Sequence, residues 1–296
     1  MEPGPCPTAD DASENVRSMS YENSVKGAIQ PSHTTTAFLP LKARIKMRTP
    51  KTLLLLYRFF RTGEFLHVIS FLHTNIRQAT FSQRCALIRQ IYRITYHVEC
   101  GHAQAEILGP ITRVLAMTTE LRGAIVEAGC FKGGGTAKLS LAARLAGRQL
   151  IVFDSFEGIP ENSEPHCRNI WGGRVSFAKG DYRGDIEEVI ENVRRFGDIG
   201  VCRFIKGFFD DCMPGFQEPL VLAYLDVDLA SSTRTCLKHL WPLLAPGGIL
   251  YSQDGHLPLV IAVFSDEKFW REELKTPKPH IHGLGTSQLI WCRKEA

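Results

Sequence analysis

The stretch from Ala124 to Thr136 (AIVEAGCFKGGGT) limits what this chain can fold into more than any other. An apolar, β-branched run ends in the carboxylate of Glu127. A glycine-rich bend follows, with Gly129 and Gly133 to Gly135, and feeds an Ala/Leu-rich segment, Ala137 to Ala146, that reads as a helix. A strand that passes into a helix over so few residues needs a tight turn, and glycines also let the backbone approach a ligand closely. The helix start then offers unpaired N–H groups and the positive end of the dipole. The pattern predicts the first β–turn–α unit of a Rossmann-like sheet and a nucleotide-type cofactor.

Strands and helices alternate from there to the C-terminus. Gln149 to Asp154, Val201 to Lys206, Leu220 to Asp228 and Ile249 to Asp254 read as strands two to five. The fourth is almost wholly apolar, as a central strand buried on both faces should be. Asp185 to Arg195, Thr233 to Leu244 and Phe264 to Leu274 read as helices, and His280 to His282 with Gln288 to Cys292 as a terminal antiparallel hairpin. The expected fold is α/β: a mostly parallel sheet with helices on both faces and an antiparallel end.

The chain before this domain has two parts. Residues 1–36 are rich in Pro, Ser, Asp, Asn and Thr with no hydrophobic period, which reads as a leader or a lid ordered on contact. Residues 37–120 are helical in pattern, with apolar positions such as Phe65, Ile69, Leu72 and Ile76, then Leu87, Ile91, Ile94 and Val98, then Ile107, Leu108, Ile111 and Leu115. They are expected to form a helical cap or dimerisation region over the domain of residues 121–296, and the protein to be a homo-oligomer, a dimer. A basic stripe from Lys42 to Arg61 reads as a solvated helix face; an RNA or anionic-lipid grip is the alternative.

Bulk properties exclude some classes. A formal net charge of +4 over 296 residues does not call for nucleic acid. The apolar run from Leu53 to Leu56, with Tyr57 next and Arg58 interrupting, is far short of a membrane span. Acidic Glu2, Asp10, Asp11 and Glu14 argue against a secretory or mitochondrial leader. Nine cysteines without paired spacing read as reduced thiols of a cytoplasmic protein.

Ligands of such sheets sit at the carboxyl ends of the strands, where this chain concentrates acids: Glu127, Asp154, Asp226, Asp228 and Asp254, with Gly207 ending strand three. Asp154 suits a pair of ribose hydroxyls; capping a turn is the alternative. The bend from Gly129 to Gly133 lacks the compact spacing that cradles a pyrophosphate. An acid just ahead of it suits a cofactor carrying an amino-acid cation, and S-adenosylmethionine is one. The long segment from Glu161 to Gly180 reads as a substrate lid, with Trp171 as an aromatic contact.

Five motifs in order, VEAGCFKGGGT, FDSFEGIP, KGFFDDCMP, LDVDLASST and PGGILYSQD, resemble the macrocin O-methyltransferase family over about His97 to Trp291. That family is of class I S-adenosylmethionine-dependent methyltransferases acting on sugar hydroxyls of natural products. The resemblance implies that Glu127 and Gly129 hold the methionine portion and Asp154 the ribose. It places Ser155 and Phe156 beside the adenosine and Gly207 and Phe208 at the adenine, and Gly133 and Asp226 are counted with this cofactor-binding set. It also implies Mg²⁺ on Asp228 and Asp254, with Gln253 standing where the family has an aspartate, so that the site carries one negative charge less. Hard oxygens at neighbouring strand tips suit that ion. Asp228, Asp254 and His256 are the candidate catalytic residues, His256 as a neutral base two residues past Asp254. His280 and His282 read as structural; His97 and His102 flank the entrance to the domain. The expected activity is O-methylation of a small-molecule secondary metabolite. N- or C-methylation, RNA methylation and a non-methylating S-adenosylmethionine-binding protein are the alternatives.

Overall fold

The computed structural model describes residues 59–60 and 63–295. The expected leader and the basic stripe lie outside them. Among the described residues three full helices precede the sheet, α1 (Glu64–His73), α2 (Phe81–His97) and α3 (Gln104–Ala116). The start of α2 is fixed by a reciprocal cap: Thr80 Oγ1 accepts the Gln83 N–H at 3.3 Å while Gln83 Oε1 accepts the Thr80 N–H at 2.8 Å. Its Leu87, Ile91 and Ile94 fall on one buried stripe, the helical period read from the sequence.

The sheet follows: β1 (Ala124–Ala128), α4 (Gly134–Leu145), β2 (Leu150–Asp154), α5 (Ile186–Phe196), β3 (Cys202–Lys206), the single turn α6 (Phe209–Cys212), β4 (Leu220–Leu225), α7 (Ala230–Leu240), β5 (Leu244–Ser252), α8 (Pro258–Ser265), β6 (Ile281–His282) and β7 (Ile290–Arg293). The strand order is β3-β2-β1-β4-β5-β7-β6. β1 to β5 are parallel, and β7 runs antiparallel between β5 and β6. This is a Rossmann-like arrangement with an antiparallel end, as the sequence pattern led one to expect. The order reverses between β1 and β4, which opens a crevice at the carboxyl ends of those strands.

Successive strand residues point to opposite faces. Ile125, Val152, Leu222 and Tyr224 join one buried cluster with Ile107 and Ile111 of α3 and Leu139 of α4. Val126, Ile151, Ala223 and Leu225 join the other with Leu237 and Leu240 of α7 and Val260 and Phe264 of α8. The helices of residues 64–116 therefore share a core with the sheet.

Several element boundaries differ from the sequence reading, α7 among them, which runs Ala230–Leu240 where Thr233 to Leu244 was expected. β4 ends at Leu225, so Asp226 to Asp228 leave the sheet, and Asp228 takes a left-handed φ of 61°. β5 begins at Leu244 and runs through Gly247 and Gly248, its register against β4 shifting between Leu220 and Leu222 to absorb them. The expected helix from Phe264 to Leu274 is instead α8, started by Pro258, and a separate π-turn from Phe269 to Glu273. Asp266 divides them, its Oδ1 accepting the Phe269 N–H at 3.0 Å. A segment apolar on all sides, Leu257 to Phe264, has no period to mark it as a helix. Among the cysteines, Cys85, Cys100, Cys130, Cys202, Cys212, Cys236 and Cys292 are free thiols.

Candidate active site

The glycines after β1 are there because side chains would not fit. Gly129 has a φ of 82° and gives its N–H to the Phe153 carbonyl at 2.9 Å; a Cβ there would strike the Asp226 carbonyl oxygen. Gly133, with a φ of 78°, caps α4 against Val189. At Gly135 a Cβ would run into Glu127 Oε1 and crowd the His102 ring. The bend thus holds β1, β4 and α4 close enough for their polar ends to face one space.

That space is two adjoining cavities. One, of about 390 Å³, is lined by Asp154, Ser155, Gly207 and Phe208. The other, of about 330 Å³, is lined by Glu127, His102, Asp226, Asp228, Asp254 and His256. Gly129, Phe131 and Tyr182 line both. Most of the site residues read from the sequence are brought together here. Two are not at the walls. Phe156 is buried in the core facing Phe204, with ring centroids 6.5 Å apart, and Gly133 serves the helix start. The β-turn after Asp154 needs a left-handed residue, and Phe156, with a φ of 58°, supplies it with the side chain turned inward.

Asp154 does the turn-capping named above as the alternative. Its Oδ1 accepts the Phe156 N–H and its Oδ2 the Cys130 N–H, each at 2.7 Å, tying the end of β2 to the glycine bend. The carboxylate still lines the cavity, and each oxygen retains a second lone pair for a ligand.

Glu127 is buried and accepts the Thr136 hydroxyl at 2.5 Å. Burial pushes its carboxyl up to about 8; Thr136 works against that, Asp154 adds to it, and Lys138 opposes it. Lys138 lies fully buried, its Nζ 3.4 Å from Cys100 Sγ, 3.3 Å from His102 Nε2 and 3.5 Å from Gln104 Oε1. Burial holds Lys138 below the usual lysine range, and burial with the Lys138 charge holds His102 well below the usual imidazole range. His102 is therefore a neutral ring on the cavity wall.

Asp226, Asp228 and Asp254 place one carboxylate oxygen each within 4.8 Å of the others. Burial, then mutual repulsion, pushes Asp226 and Asp228 well above the carboxylate range. Burial takes Asp254 to about 6, held down by hydrogen bonds from the Val227 and Asp228 N–H groups at 3.0 and 3.1 Å. Three hard oxygens whose charges repel one another fit a divalent cation. Gln253 faces the other way, accepting the Tyr224 hydroxyl at 3.1 Å and donating to Glu106 at 2.7 Å, and Asp226 completes the trio.

His256 is half-buried and stacks on Trp171, with centroids 5.6 Å apart at 17°. The Ile170 N–H donates to the His256 carbonyl at 3.0 Å, so the segment expected to be a lid is fastened to this loop. Burial lowers the His256 pKa, offset in part by the Gln253 backbone, and its Nδ1 is buried without a partner among the described residues. His97 stacks on Phe196 at 5.1 Å, away from the cleft, and His282 on Trp291 at 3.9 Å. A groove of about 810 Å³, lined by Phe71, Arg113, Trp171, Tyr251, Trp291 and Gln288, meets the smaller cavity at Gln288.

A family model described as Macrocin-O-methyltransferase (TylF) matches residues 103–286, well over half of the chain. The chain belongs to the macrocin O-methyltransferase family. Among relatives, it is 34% identical over 140 residues to the 8-demethyl-8-(2,3-dimethoxy-alpha-L-rhamnosyl)-tetracenomycin-C 4'-O-methyltransferase of Streptomyces olivaceus, covering 45% of this chain and 52% of that protein. It is 28% identical over 137 residues to the demethyldecarbamoylnovobiocin O-methyltransferase of Streptomyces niveus, with the same coverage. The chain thus spans about half the length of these curated relatives. The solved structure of the O-methyltransferase NovP is similar at a TM-score of 0.49 and 20% identity, over 73% of this chain and 82% of that one.

Sequence reading passed over Phe131 and Tyr182 and did not connect His102 with Lys138. Tyr182 follows an irregular loop with no period. The one signal was Gly180 to Gly184, two glycines bracketing a tyrosine just before α5.

Proposed function

We propose that the chain is an S-adenosylmethionine-dependent O-methyltransferase acting on a hydroxyl of a glycosylated small molecule. The observation that carries this reading is the pair of cavities meeting at Gly129, with Asp154 in one and Glu127 beside three aspartates in the other. A ribose on Asp154 and an amino-acid ammonium on Glu127 put the sulfonium where the cavities join. The methyl then faces the carboxylate trio.

The sulfonium is already reactive, so alignment and proton removal are what the protein must add. The acceptor oxygen bonds to the methyl carbon as the carbon–sulfur bond breaks, leaving neutral S-adenosylhomocysteine. The hydroxyl proton passes to the neutral His256 ring, which lines the same cavity as the three aspartates and is held by its stack on Trp171. Asp226, Asp228 and Asp254 would hold Mg²⁺, whose charge, when it is bound, favours the deprotonated oxygen. The groove beyond Gln288, with its aromatic walls, suits the rest of the acceptor. The two curated relatives named above support an oxygen acceptor on such a scaffold.

Purified protein is to be incubated with S-adenosylmethionine and rhamnosylated aromatic polyketides, with S-adenosylhomocysteine and methylated product quantified together. Equal amounts of both are expected. Asp154→Ala should abolish cofactor binding in calorimetry; a wild-type affinity sinks the ribose assignment, and product without any acceptor oxygen gained by methyl sinks O-methylation.

A further inference from the structure

Three residues line both cavities, Gly129, Phe131 and Tyr182, and two of them are aromatic. Both aromatics sit on left-handed backbone, Phe131 at φ 49° and Tyr182 at φ 56°, a conformation that costs a bulky residue energy and persists only where its surroundings impose it. The imposition is visible. Gly184 packs its backbone on Phe131 so closely that a Cβ would fall on the Phe131 carbonyl oxygen. Asn192 Nδ2 donates to the Lys132 carbonyl at 2.9 Å. On the other side the Ile159 N–H donates to the Asp181 carbonyl at 2.9 Å, and Asp181 Oδ2 accepts the Ala178 N–H at 2.8 Å. The two rings meet edge to face, centroids 5.8 Å apart at 84°, and form one corner where the cavities join.

One ring of that corner already binds a cation. The Lys132 ammonium lies 5.4 Å from the Phe131 centroid and pairs with Glu99 at 2.8 Å. Among the described residues no lysine or arginine lies over the Tyr182 ring, and its neighbour Arg183 turns to Asp185 at 2.7 Å. A half-exposed aromatic face at a junction between acids attracts a cationic centre. We propose that the Tyr182 ring, braced by Phe131, is the subsite for the sulfonium of the methyl donor, favouring the charged donor over its neutral demethylated product. This rests on the S-adenosylmethionine reading above. It adds a reason for spent cofactor to leave: methyl transfer removes the charge that the ring holds.

The test is the ratio of dissociation constants for S-adenosylhomocysteine and S-adenosylmethionine, by calorimetry, in wild type, Tyr182→Phe, Tyr182→Leu and Tyr182→Asn. A cation over an exposed ring corresponds to a two- to fivefold preference, roughly. Tyr182→Leu should weaken S-adenosylmethionine by about that factor more than S-adenosylhomocysteine, while Tyr182→Phe keeps the wild-type ratio. Asparagine accepts left-handed backbone without strain, so Tyr182→Asn removes the ring without burdening the fold and should match the leucine variant. Equal weakening of both ligands in both ringless variants overturns the subsite. A wild-type protein that binds neither ligand overturns the cofactor reading itself and the subsite with it.

Discussion

Glu127 shows how one buried side chain can couple proton, cofactor and stability. Its pKa of about 8 lies far above the ordinary glutamate range, so at pH 7 the free protein holds it mostly protonated. The sign of the linkage follows: the folded state binds a proton that the unfolded state has released, so this group's contribution is complete below the ordinary glutamate pKa and is lost as pH rises through about 8. At about 1.4 kcal/mol per pKa unit the effect amounts to a few kcal/mol. Glu127→Gln should therefore flatten the fall in stability between about pH 5 and pH 8, read from urea midpoints across that range. A cofactor ammonium beside the carboxylate reverses the balance. Binding at pH 7 should release roughly one proton, measured by calorimetry in buffers of different ionisation heat, and affinity should rise with pH up to about 8. An affinity flat from pH 6 to pH 8 with no proton released would remove Glu127 from the cofactor's amine.

Among elements, the segment from Glu161 to Gly180 is held by a helix rather than hanging loose. Glu164 reaches the start of α7, its two oxygens accepting the Ala230 and Ser231 N–H groups at 2.8 Å each, and His166 Nε2 lies 3.0 Å from Oε2. Burial works against its charge, but the bonds from Ser231, Ala230 and His166 outweigh it and keep Glu164 below the usual carboxylate range. Its contribution is present above the ordinary glutamate pKa and is lost as acid protonates it. Glu164→Gln should cost about 1 kcal/mol, as the loss of a cap does, and speed tryptic cleavage after Arg168 or Arg174; unchanged cleavage would mean that other contacts hold the segment. None of this was legible in the sequence, because Glu164 and Ala230 are 66 residues apart and no periodicity joins them. What was legible is what repeats locally: the strand–glycine–helix start, the apolar run of β4, the stripe of α2. For the same reason the acids at strand ends could be read as a group that lines the crevice, while the contacts of Gln253, the inward turn of Phe156 and the corner at Tyr182 could not. Those depend on which way a loop turns once the sheet has formed.

Over the whole molecule, the helices of residues 64–116 and the sheet share their buried surface. Ile107 and Ile111 of α3 lie in one cluster with Ile125 of β1, Tyr224 of β4 and Tyr251 of β5. The cleft draws on both parts, since His102 lies just before α3 and Lys138, within α4, reaches it. A ligand in the cleft should therefore stabilise helices and sheet together. At a concentration of 100 times its dissociation constant, S-adenosylhomocysteine adds about 2.7 kcal/mol, which for a chain of this size raises the melting temperature by roughly 4 °C. Calorimetric melting should show one transition that moves by that amount. Hydrogen exchange in the buried backbone of α3 should slow by the same factor as in β1 and β4, because all three open only when the shared core opens. Protection confined to the strands, with α3 exchanging as in the free protein, would show that the helical layer opens separately and that the cofactor grips the sheet alone.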